Sequence, residues 1–189
     1  MDFKMYRFVF TLILILLSFK TASAESSNHG FDNDWLNRAD AKAEMKNNIG
    51  EKIGTIYAKQ GTQGVLLRLK FSKMPQGIHG MHFHNIGDCS EQKSFKSAGG
   101  HINVHQQPHG FLNPQGPHEG NLPNLIIAPD GSAHLELYSQ MVSVFGKKNG
   151  LLDENGSSLI VHTNIDDHTS QPIGGAGARI ACGVFILHK

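Results

Sequence analysis

Between residues 52 and 187 the apolar residues of this chain come in runs too short to be helices, and turn-forming residues close nearly every run. The runs fall at 52–58, 64–71, 77–85, 125–128, 133–138, 158–163 and 179–187. Breaks lie at Gln60-Gly61, Met74-Pro75, Pro129-Asp130-Gly131 and Glu154-Asn155-Gly156. In such breaks glycine tolerates positive φ, proline fixes φ, and Asn or Asp bonds its own backbone. Runs of this length with this punctuation predict strands. Many short strands in sequence predict an all-β chain, folded as an antiparallel sandwich or barrel.

Two connections depart from that texture, at 87–123 and 164–178. Loops longer than about 12–15 residues inside a compact domain are usually functional or unstructured. The first carries His101, His105, His109 and His118, which makes function the better reading.

The strands add three more imidazoles. Residues i and i+2 of a strand share a face, so His82 and His84 point the same way while Met81 and Phe83 face a predicted core. His162 ends the apolar run Leu159-Ile160-Val161. A surface pair on an edge strand and a polar loop that binds metals adventitiously are the plain alternatives. Taken together, the imidazoles predict a redox metal site, because nitrogen ligands suit both oxidation states of copper. A loop folding around a metal would also offset the entropy of its own ordering.

The ends of the chain and its charge narrow the setting. Lys4 and Arg7 precede an apolar run at 8–17, and Ala22-Ser23-Ala24 offers a cleavage site, so 1–24 is predicted to be a signal peptide. The run is shorter than the roughly 20 residues that span a bilayer. Residues 25–48 are polar and read as a lead-in, with a thin amphipathic helix over 34–45. The remaining domain is 49–189. Lys and Arg number 17 against 16 Asp and Glu, a balance with no footprint for nucleic acid and no call for a membrane partner. The two cysteines, Cys89 and Cys182, favour one intramolecular bridge in an exported chain, with reduced or intermolecular thiols as the alternative. Such a bridge would restrict the unfolded chain by about 4.7 kcal/mol on the entropy model.

Read in order, the motifs resemble a known family. They are Gly80-Met81-His82-Phe83-His84-Asn85-Ile86-Gly87-Asp88-Cys89, Ser97-Ala98-Gly99-Gly100-His101, His109-Gly110 and His118-Glu119-Gly120, then Leu159-Ile160-Val161-His162, Asp166-Asp167-His168 and the stretch from Gly174 through Arg179 to Cys182-Gly183-Val184. Over about residues 50–188 the chain closely resembles the copper/zinc superoxide dismutases, especially the exported bacterial type. The resemblance implies a Greek-key sandwich or barrel with two long functional loops. It implies copper on His82, His84, His101 and His162, and zinc on His101, His109 and His118, with His101 bridging both. Asp166 would accept hydrogen bonds from a copper-side and a zinc-side ring. Cys89 and Cys182 would tie the long loop to the last strand, and Arg179 would lie beside the open copper position.

The implied substrate is superoxide, with copper and zinc as cofactors and Arg179 and His101 as the catalytic pair. One superoxide would give up an electron and leave as dioxygen; a second would take that electron and two protons and leave as hydrogen peroxide. Arg179 would supply a permanent positive charge to a small anion. The implied compartment is the periplasm, with extracellular secretion left open, as are the homodimer and the monomer.

One position departs from the family. Three residues after the last zinc histidine, where the family has aspartate, this chain has Asn121. An amide oxygen lacks the charge that attracts zinc, so weak or absent ligation by Asn121 is expected, with Glu119 and His105 as alternatives to complete the site. His79, His134 and His188 read as surface residues and His168 as an ordinary loop residue. The competing functions are a non-catalytic exported copper- or zinc-buffering protein, which has no need of Arg179, and a structural sandwich, which leaves six ordered histidines unexplained.

Overall fold

The computed structural model describes residues 33–189. The signal-peptide reading of 1–24 and the first part of the lead-in lie outside the described residues. In the strand Val65–Phe71, Val65, Leu67, Leu69 and Phe71 are buried while Lys70 is exposed, the alternation of a sheet with one covered face. The same logic builds the rest. In chain order a short helix α1 (Asn33–Asn37) is followed by β1 (Ala41–Asn47), β2 (Lys52–Gln60), β3 (Val65–Phe71), β4 (Gly77–His79) and β5 (Met81–His84). Then come β6 (Leu125–Ile127), β7 (Ala133–Ser139), β8 (Ser158–His162) and β9 (Arg179–Leu187).

Seven of these strands form one antiparallel sheet in the order β5-β8-β9-β1-β2-β3-β7, which curls around the main core into a half-barrel, with a smaller cluster of Phe95, Ala98, Ile160 and Cys182 apart from it; β4 and β6 pair separately. The expected all-β antiparallel architecture with two long loops is the one observed. Gly80 divides the predicted strand 77–85. Its N–H donates to the Asn164 carbonyl (2.7 Å) and its carbonyl accepts from the His162 N–H (2.8 Å), while a Cβ there would meet that of Ala176 at 2.9 Å. The chain therefore changes partners at this glycine, β4 pairing with β6 and β5 with β8.

The lead-in is the main correction. Residues 41–47 are neither helix nor appendage but a central strand, hydrogen-bonded to β2 on one side and β9 on the other. Ala41, Ala43 and Met45 are buried in the core, and Lys42, Glu44 and Lys46 point away. Ala, Lys, Glu and Met favour helices in isolation, and the period-two burial overrides that preference. We predict that Met45→Ala lowers stability by about 2–5 kcal/mol, measured by urea unfolding. A dispensable lead-in would leave the midpoint unchanged.

Candidate metal centre

The strand-borne candidate ligands, His82 and His84 on β5 and His162 on β8, stand on the outer face of the sheet. His82, Ile160 and Cys182 lie in register across β5, β8 and β9, in a row beside the core row of Phe83, Leu159 and Gly183. The long loop covers this face. It closes the free edge of β5 with main-chain bonds from the Phe83 N–H to the Gly120 carbonyl (3.0 Å), from the Ile102 N–H to the Phe83 carbonyl (2.9 Å) and from the Asn85 N–H to the Gly100 carbonyl (2.9 Å). Those bonds set His101 opposite His84 and Asn121 opposite His82. The Cys89–Cys182 disulfide, with Cα atoms 5.9 Å apart, pins the start of the loop to β9.

The hydrogen bonds fix which nitrogen each ring presents. His82 donates from Nε2 to Asp166 (2.8 Å), His84 from Nδ1 to the Gly99 carbonyl (3.0 Å) and His162 from Nδ1 to the Gly177 carbonyl (3.0 Å). A neutral ring that donates from one nitrogen offers a lone pair on the other. In the group His82, His84, His101 and His162, the nitrogens left without a partner are His82 Nδ1, His84 Nε2, His101 Nε2 and His162 Nε2. The four side chains offer ligand atoms that all lie within 4.8 Å of one another. Unpaired buried polar atoms each cost about 1–3 kcal/mol, and four converging ones fit the ligand set of a metal that accepts nitrogen.

A second group shares His101. Its members, His101, His109 and His118, also place ligand atoms within 4.8 Å of one another. Asp166, fully buried, joins the two groups by accepting from His82 Nε2 and from His109 Nε2 (3.0 Å). Gly174 has no room for a side chain, since a Cβ would lie 1.7 Å from the Asp166 carboxylate. Glu119 and His105 belong to neither group. They pair with each other, and Glu119 also accepts from the Val104 N–H (3.0 Å), so both are committed elsewhere. Asn121 is buried beside His109 and His118.

An open cleft bordered by His101, His118, His162, Gly177 and Arg179 leads to the shared ring. His101 is the one member of the first group that is not fully buried. Arg179 is held at the cleft by donating to the Phe95 and Gly99 carbonyls, each at 2.7 Å. The Gly99 carbonyl thus serves both Arg179 and His84. Sequence reasoning missed this contact, as it missed His79, expected at the surface. His79 is buried and bridges the carbonyls of His162 (2.8 Å) and Pro75 (3.0 Å). His188 is half-buried against Tyr57, whereas His134 is exposed as expected. His168 meets the Asn124 amide at 3.1 Å, and its backbone N–H donates to Asp166 (2.7 Å).

Burial favours the neutral form of His82, His84, His101, His118 and His162. His118 and His162 fall from the ordinary 6.5 to about 4, through burial first and neighbouring imidazoles second. Burial also carries His84 and His101 well down, helped by Arg179 at His84 and by His82 at His101. For Asp166 burial alone would raise the carboxyl, but hydrogen bonds from His109, His82 and the His168 amide together hold it well below the usual range. The unfolded chain binds protons on these rings near 6.5, while the folded site refuses them until about 4. Stability of the metal-free protein is therefore expected in full above pH 6.5 and to decline as pH falls toward about 4. Asp166 adds its loss only at more acid pH. Urea midpoints of chelated protein across that window test this, and a flat profile contradicts it.

Comparison with known proteins agrees with this geometry. The family model described as copper/zinc superoxide dismutase (SODC) matches residues 52–185. A protein named Superoxide dismutase [Cu-Zn] from Caulobacter vibrioides is 46% identical over 148 residues, covering 77% of this chain and 84% of the relative. Among solved structures, a SOD-like protein from Bacillus subtilis superposes with a TM-score of 0.72 at 35% identity, covering 76% of this chain and 96% of that one. The Cu/Zn superoxide dismutase from Brucella abortus gives 0.62 at 27% identity, covering 76% of this chain and 98% of that one. Because the matched stretch contains every histidine of both groups, the chain belongs to the copper/zinc superoxide dismutase family, and its cofactors are copper and zinc.

Proposed function

We propose that the chain dismutates superoxide with copper on His82, His84, His101 and His162 and zinc on His101, His109 and His118. The convergence of four unpartnered ring nitrogens beside a cleft that Arg179 borders carries this reading. When bound, copper supplies one-electron chemistry by alternating between Cu(II) and Cu(I); zinc has none and serves to hold a ring.

The protein's own groups do the rest. The Arg179 guanidinium is always charged and has spent two donors on main-chain carbonyls, so it offers a positively charged fork of fixed position to a small anion. His101, the one ring of its group that is only partly buried, borders the cleft and is the ring placed to carry a proton between solvent and bound substrate. Asp166 sets the tautomers of His82 and His109 and so aims their opposite nitrogens. Gly100 lines the cleft, and a Cβ there would meet nothing within 4 Å, so this part of the approach is open. Asn121 contributes a neutral amide where a carboxylate would add charge, and we assign it weak or absent zinc ligation.

The leader at 1–24 and the disulfide both support export, and we place the protein in the periplasm. Copper-loaded native protein is expected to consume superoxide; a fully loaded sample without activity overturns the assignment. Arg179→Ala is expected to lower kcat/KM about tenfold or more and to flatten its dependence on ionic strength. Copper content should be unchanged. An unaltered rate at full copper loading rejects the role of Arg179.

A further inference from the structure

The two ends of the Asn121 amide are distinguishable by what surrounds them. Oδ1 accepts from the backbone N–H of His118 (3.2 Å) and of Gly110 (3.3 Å). Only the oxygen can accept, so Nδ2 is directed to the other side, where His109 Nδ1 lies 3.1 Å away. His109 is thereby satisfied at both nitrogens, donating from Nε2 to Asp166 and accepting at Nδ1 from Asn121. His101 Nδ1 and His118 Nε2 face each other at 3.0 Å. The two groups consequently differ. Each ring of the copper set has an unpartnered nitrogen; in the second group His101 Nε2 and His118 Nδ1 are unpartnered too, but His109 has none.

We propose that Asn121 organises the second group by hydrogen bonding, so that the loop and the copper half are assembled without zinc. The amide ties the main chain at Gly110 and His118 to the ring of His109, three points that a zinc ion would otherwise have to gather. Zinc can reach His109 Nδ1 only by displacing the amide N–H, and it gains no carboxylate in return. Asn121 is thus a positioning residue that also sets metal preference. An aspartate at this position would still accept from both main-chain N–H groups but has no donor for His109, which leaves that nitrogen to the metal. The inference rests on His101, His109 and His118 being the second metal group.

The test compares the full-length exported protein with Asn121→Asp and Asn121→Leu. Amide hydrogen exchange on metal-free protein should show protection at Gly110 and His118 in the native chain, reduced about tenfold or more in Asn121→Leu. Zinc titrated against a competing chelator should bind Asn121→Asp about tenfold or more tightly than the native chain. Copper added alone should give a nitrogen-ligated electron-spin-resonance signal in both the native chain and Asn121→Asp, which also reports that the variant is folded. Unprotected Gly110 and His118 in the native protein, or equal zinc affinities, overturn the proposal while leaving the ligand assignment standing. Absence of zinc binding to both proteins refutes the second group itself and the proposal with it.

Discussion

The metal face depends on one buried carboxylate. Asp166 has no exposure, yet it accepts hydrogen bonds from His82 on β5, from His109 on the long loop and from the His168 amide on its own loop. Its main chain is held in turn by Asn124, whose side chain accepts from the Asp166 N–H (2.8 Å) and donates to its carbonyl (2.9 Å). An isolated charge at such depth would be costly. Three donors offset that cost, and removing any of them leaves the buried carboxylate short of a hydrogen bond. Three separate segments are therefore locked together by a group that touches no substrate.

The same economy extends to the tautomers. Asp166, the Gly99 carbonyl and the Gly177 carbonyl each take one ring proton, on His82, His84 and His162, and thereby aim the opposite nitrogen inward. Two of these acceptors are main-chain atoms at glycines. Gly99 has φ 72° and Gly177 φ 79°, in the region other residues rarely adopt. Ligand geometry is thus written partly in backbone conformation. Because the Gly99 carbonyl also receives Arg179, the charge at the cleft and the orientation of His84 are coupled through one atom.

Much of this was legible in the sequence and some was not, for physical reasons. Strands from β2 to β9 announced themselves through short apolar runs and turn residues, and the His82–His84 pair through the two-residue period. β1 did not, because Ala, Glu, Lys and Met carry helical preference and their alternation gains meaning only between β2 and β9. His79 looked like a surface residue because its partners are carbonyls at Pro75 and His162, which leave no trace in residue type. The pairing of Glu119 with His105 was equally hidden, and it removed both from contention as zinc ligands. The motif order disclosed the family and the candidate ligands; tautomers and second contacts had to come from coordinates.

The centre is divided between two kinds of support. His82, His84 and His162 come from strands β5 and β8 and inherit the stiffness of the sheet. His101, His109 and His118 come from a loop whose order depends on what it is tied to: the edge of β5, the disulfide, Asp166 and Asn121. A carboxylate at position 121 would still accept from the Gly110 and His118 N–H groups but would leave the tie to His109 to a metal. An amide supplies it from the chain itself, at the expense of attraction for a divalent ion. His101 stands where the strand-borne and loop-borne rings meet, so the placement of the shared ring is the point at which the choice between amide and metal is felt by the copper side.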